Sequence, residues 1–189
     1  MVRMVRLGMA VAAGLLLSQC ASDPAKGKET YGEVLPEIRA PQSLDYGGLT
    51  YTAGYSAVNK NGVLVEYFPA GQGPQQWNQM LALRLIEKQT TPKQEVGALA
   101  ATATARGASP HAGTGTGGDQ GIDFMLPKNG TYEFNVFRYA LAGQGASSLQ
   151  YAAILPPETV KMGSGALRAV AEKHRAAVMR IPMPEVGRQ

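Results

Sequence analysis

Two short runs, Asn59-Lys60-Asn61-Gly62 and Lys128-Asn129-Gly130, constrain what this chain can fold into more than any other feature. Asn-Gly accepts the positive φ that tight reversals demand, and β-branched or aromatic residues alternate on both sides of each run. Tyr51 to Val58 and Val63 to Phe68 flank the first, and Ile122 to Leu126 and Tyr132 to Tyr139 flank the second. Strands joined so tightly must pair antiparallel, which predicts an antiparallel sheet. Val63, Val65 and Tyr67 alternate with Leu64, Glu66 and Phe68, and the carboxylate marks the second face as partly open to water. Gly143-Gln144-Gly145 leads into a further strand, Ser148 to Ile154, which Pro156-Pro157 stops because proline cannot donate to a ladder.

Between and after the hairpins the apolar spacing changes. Gly73-Pro74 is expected to open a helix in which Trp77, Met80, Leu81 and Leu85 form one apolar stripe, with Thr90-Thr91-Pro92 ending it. Val96 to Arg106, rich in Ala and Thr, reads as a strand, and the glycine-rich stretch Gly107 to Gly121 as a mobile loop. Ser164 is expected to cap a last helix, with Leu167, Val170, Ala171, His174 and Val178 on its inner face. The resulting expectation is an α+β domain: an antiparallel β-sheet of about five strands with two amphipathic helices packed on one face.

The first residues carry a different signal. Arg3 and Arg6 make a basic tip, Leu7 to Leu17 run without charge, and Ser18, Gln19 and Cys20 follow. That is the layout of a secretory signal peptide, and its apolar core is far shorter than the about 20 residues a spanning helix needs. Leu17-Ser18-Gln19-Cys20 resembles a bacterial lipobox, with Gln19 where a small residue is usual. The resemblance implies a lipid on Cys20, the chain's single cysteine, and a membrane partner reached through that lipid; Ala21 in place of aspartate implies the outer membrane, facing the periplasm. A plain secretory signal cut between small residues is the alternative. The organisation expected is a signal peptide over 1–19, a lipid-anchored flexible tether over 20–48, a single α+β domain over 49–180 and a tail over 181–189. Glu66-Tyr67-Phe68-Pro69 followed by Trp77-Asn78-Gln79-Met80 resembles a group of uncharacterised proteobacterial exported proteins with an aromatic-x-Pro segment and Trp-x-x-Met. That resemblance implies a fold and a location, and no activity.

A search for chemistry finds little. One cysteine and two distant histidines, His111 and His174, lack zinc-ligand spacing, and the acids form no calcium loop. No metal or cofactor is expected. Ser109, His111 and Asp119 lie together on the expected loop, a poor support for a catalytic triad. Asp119, Asp123 and Glu133 invite comparison with a glycosidase carboxylate pair, with Asp123 and Glu133 as cross-strand neighbours on an outer face. The Gly113 to Gly118 run lacks the strand before and helix after that a phosphate loop requires. His174 reads as a core-edge histidine donating to a backbone carbonyl. The net charge of +4 falls to +2 without Arg3 and Arg6, and no basic-aromatic interleaving points to nucleic acid.

These observations predict a non-catalytic interaction or assembly module of the cell envelope with an envelope protein as partner. The alternative is a carrier of a small apolar ligand, with its pocket between the helix bearing Trp77 and the sheet. A hydrolase ranks last. Trp77, Tyr67 and Tyr132 are the expected contact residues for ligand or partner.

Overall fold

A computed structural model describes residues 27–189, so the expected signal peptide and Cys20 lie outside the described residues. Both reversals form hairpins. The first joins β4 (Leu49–Asn59) to β5 (Gly62–Pro69), with Asn59 opposite Gly62. A Cβ at Gly62 would fall 1.8 Å from the Leu85 carbonyl oxygen, and its φ is +140°, so no other residue fits there. The second joins β8 (Gln120–Lys128) to β9 (Thr131–Ala142) through Asn129 and Gly130, whose φ values of 48° and 80° suit a two-residue reversal with both centres left-handed.

The other strands are β1 (Lys28–Tyr31), β2 (Ile38–Arg39), β3 (Ser43–Tyr46), β6 (Gln79–Ile86), β7 (His111–Thr114), β10 (Gly145–Ile154) and β11 (Gly187–Arg188). The helices are α1 (Pro92–Ala105), α2 (Pro157–Lys161) and α3 (Ser164–Arg180). Among the described residues the main sheet has nine strands in the order β1-β4-β5-β6-β10-β9-β8-β7, with β3 also on β4, and every pairing is antiparallel. Two meanders, β4-β5-β6 and β7-β8-β9-β10, therefore meet at the β6–β10 seam. β2 and β11 form a separate two-stranded sheet.

This mostly β architecture overturns the expected five strands with two helices on one face. The stripe read as a helix from Gly73 is β6. Leu81 and Leu83 point to one face, and Met80, Ala82 and Ile86 to the other. A central strand buried on both sides reads as a continuous apolar run, from which helical spacings can always be picked out. Conversely, Thr90-Thr91-Pro92 starts a helix. Thr91 caps α1 and shares a capping box with Gln94, and Pro92 occupies the first turn. The stretch read as a strand is thus helical. The expected loop contains β7 and a single 3-10 turn, Thr116–Gly118. The expected tether contributes three strands from Lys28 onward, and the expected tail supplies β11. α3 follows Gly163 and has no side-chain cap from Ser164.

The two long helices lie on opposite faces. On β9, Phe134 and Val136 join a core with Ala171 and Val178 of α3. Phe137 and Tyr139, one step out of phase, join a second core with Val96 and Ala103 of α1. Gly54 is the extra residue of a β-bulge in β4, where the register shifts between Ala53 and Tyr55. A Cβ there would lie 2.6 Å from the Phe68 ring. The bulge turns Tyr51 and Ala53, and then Val58, toward the α3 face.

Candidate functional site

α3 does not seal its face of the sheet. Near its C-terminal half two adjoining cavities of about 300 Å³ each share Gln79, Tyr151 and His174 as walls. One is completed by Tyr46, Tyr51 and Ala177, among others, and the second by residues such as Ala153, Leu155 and Val170. Strand alternation brings these groups together: Tyr51, Gln79 and Tyr151 occupy α3-facing positions near one end of β4, β6 and β10, and β3 adds Tyr46 from the edge.

The walls are flat and hydrogen-bonded. The Tyr151 and His174 rings stack at 4.6 Å and 17°, and the Tyr46 ring lies 4.7 Å from Tyr151. Phe134 supports His174 from below at 5.9 Å. The Tyr46 hydroxyl meets His174 Nδ1 at 2.8 Å. The Tyr51 hydroxyl donates to Gln79 Oε1 at 2.9 Å, and that of Tyr151 donates to the same oxygen at 3.4 Å. Burial pushes the Tyr151 phenol up to about 12 and raises those of Tyr46 and Tyr51 further, so all three stay protonated. Burial, helped by the Lys173 charge, lowers the His174 imidazole below its usual value and keeps it neutral at pH 7. The expected carbonyl partner of His174 is thus replaced by a tyrosine hydroxyl.

The residues expected to make contacts are not here. Tyr67 is fully buried and its hydroxyl donates to the Pro41 carbonyl at 2.9 Å, so it offers no surface to a partner. Tyr132 packs against the α3-side core. Trp77 precedes β6 on the opposite face, where Lys128 Nζ sits 4.9 Å above its ring and pairs with Glu133. No helix carries Trp77, so the pocket expected beside such a helix does not exist in that form. Tyr46, Tyr51, Gln79 and Tyr151 were not foreseen as a set. Their one signal in the sequence is phenol groups at inward-facing strand positions, where each hydroxyl needs a partner.

The candidate acids are used structurally. Asp123 is buried, accepts from Arg175 Nε of α3 at 2.5 Å and lies 3.6 Å from the exposed His111. Asp119 pairs with Arg138 at 2.6 Å. Asp123 faces α3 whereas Glu133 lies on the other face, so the two do not form the expected outer-face pair. On that other face a chain of contacts runs from Gln150 through Asn135 and Glu133 to Lys128. Glu66 is buried nearby, and burial, partly offset by Arg84, pushes its carboxyl up to about 7. Among the described residues no group of three or more His, Cys, Asp or Glu is placed to hold a metal ion, and no helix is long and apolar enough to cross a membrane.

A protein-family model matches residues 38–183. The chain belongs to that family. The matched span runs from β2 past the end of α3 and so includes every wall of the cleft. No curated protein matches the chain. Among solved structures it is similar to LpqN, described as involved in cell envelope biogenesis of Mycobacterium tuberculosis. That likeness has 12% identity and a TM-score of 0.32, and covers 79% of this chain and 83% of the other. A likeness so slight transfers neither fold nor role.

Proposed function

We propose that this family member is an exported envelope protein, held at the periplasmic side of the outer membrane by a lipid on Cys20, whose domain binds a small ligand in the cleft under α3 and catalyses nothing. The signal layout of residues 1–19 and the lipobox-like Leu17-Ser18-Gln19-Cys20 support the location. The cleft is the observation that carries the binding role. Small-molecule sites are concave, largely apolar and fitted with a few fixed polar groups, and the tyrosine-walled space around Gln79 and His174 has those properties. This puts a ligand carrier ahead of the interaction or assembly module that the sequence alone favours.

Two measurements test the reading. Intact mass of the protein from native membranes is expected to show a diacylated Cys20, and Cys20→Ala is expected to move the protein to the soluble fraction. Native mass spectrometry is expected to find a co-purifying small molecule that is displaced by Ala177→Phe or by Val170→Phe, which each fill one of the two cavities. An unmodified chain recovered from the cytosol refutes the location. Retention of the same molecule by both Ala177→Phe and Val170→Phe refutes the site.

A further inference from the structure

We infer that the cleft takes a neutral, flat molecule presenting hydrogen-bond acceptors, of which an aromatic carbonyl compound is the simplest, and excludes charged molecules of the same shape. The inference rests on the cleft being a binding site. Its specificity follows from which polar atoms the walls have already used.

Gln79 Oε1 accepts from the Tyr51 hydroxyl of β4 at 2.9 Å and, at a longer 3.4 Å, from that of Tyr151 on β10, which occupies the acceptor end of the amide. The Nε2 group, with two N–H donors, has no protein partner among the described residues, and Gln79 lines both cavities. His174 repeats the pattern. The Tyr46 hydroxyl meets Nδ1 of a ring kept neutral, and with that hydroxyl as the donor the ring's own hydrogen sits on Nε2. His174 also lines both cavities. With the tyrosine hydroxyl protons so directed, what remains for a ligand is N–H groups seeking oxygen or nitrogen lone pairs.

Charge is excluded for a separate reason. The charged groups beside the cleft are Asp45 and Lys173, one of each sign and both exposed, and Asp45 already accepts from Thr50 Oγ1 at 2.7 Å. A charged ligand would leave water without a buried counter-ion to meet it. The stacked Tyr151 and His174 rings favour a flat occupant. Each cavity of about 300 Å³ exceeds the roughly 150 Å³ that holds benzene, leaving room for a fused ring pair.

The test uses three naphthalenes of matched shape: 2-acetylnaphthalene, 2-naphthoate and 2-ethylnaphthalene. Binding to the full chain carrying Cys20→Ala is followed by amide chemical shifts. The acetyl compound is expected to bind about tenfold or more tightly than the other two. Gln79→Glu keeps the acceptors for both tyrosines and removes the donors, so it is expected to abolish that preference; His174→Phe is expected to reduce it. Ala177→Phe combined with Val170→Phe, one in each cavity, is expected to block all three compounds. Equal or tighter binding of naphthoate, or a preference that survives Gln79→Glu, overturns the ligand class and leaves the cleft as a site. Failure of all three to perturb residues around His174 overturns the cleft reading itself.

Discussion

Glu66 supplies a sharp test of the packing described above. Its side chain is 8% exposed on β5, between Tyr55 of β4 and Ala82 of β6, and Arg84 offsets only part of the burial cost. The folded protein therefore holds the proton up to about pH 7, against 4.5 for an ordinary glutamate. Between those values the native state binds more protons than the unfolded chain, so stability falls as pH rises. At about 1.4 kcal/mol for each pH unit of separation, the loss comes to about 3.5 kcal/mol. Below the ordinary value both states are protonated, and Glu66→Gln should match the wild type. Above about pH 8 the variant should be more stable by about 3.5 kcal/mol, or roughly 7–14 °C in melting temperature for a domain this size. His174 contributes with the opposite sign: its lowered value makes stability fall as pH drops below the ordinary imidazole range. That contribution is common to both proteins and cancels in their difference. Urea unfolding at a series of pH values, followed by circular dichroism and by Trp77 fluorescence, measures the difference directly. A difference that stays flat with pH, or grows as pH falls, refutes the burial argument.

Two further substitutions probe how the elements are held. Gly62→Ala places a methyl group 1.8 Å from the Leu85 carbonyl at a φ of +140°, so the β5–β6 register must yield. Thermal melts should show a loss of about 3 kcal/mol, and a loss below about 1 kcal/mol would mean the hairpin is looser than described. Arg175→Ala leaves the buried Asp123 carboxylate without its cation and unpins α3 from β8, at an expected cost of about 2 kcal/mol given the partly exposed arginine. Adding Asp123→Asn should restore much of that stability in a double-mutant cycle, and strict additivity of the two losses would remove the ion pair from the account.

The sequence by itself determined what depends on neighbouring residues. Asn129-Gly130 dictates a tight reversal because those residues accept positive φ wherever they stand. The apolar stripe of α3, through Leu167, Val170, Ala171, His174 and Val178, likewise appears in chain order at helical spacing, and these residues do face the sheet. Thr91, Pro92 and Gln94 carry a legible helix start, yet Thr90-Thr91-Pro92 predicts a helix end just as readily, since proline serves at either boundary. Only the tertiary structure decided the rest. Whether Met80 to Ile86 coils or extends depends on β5 and β10 lying on either side, because an apolar run buries equally well in both forms. The helices part to opposite faces because β10 returns beside β6 and creates a sheet wide enough for two cores. The cleft is the extreme case. Tyr46 and His174, which share its central hydrogen bond, stand 128 positions apart, and Gln79 and Tyr151 stand 72 apart. No local pattern encodes such a meeting; it exists only once strand register and the docking of α3 have fixed the geometry between them.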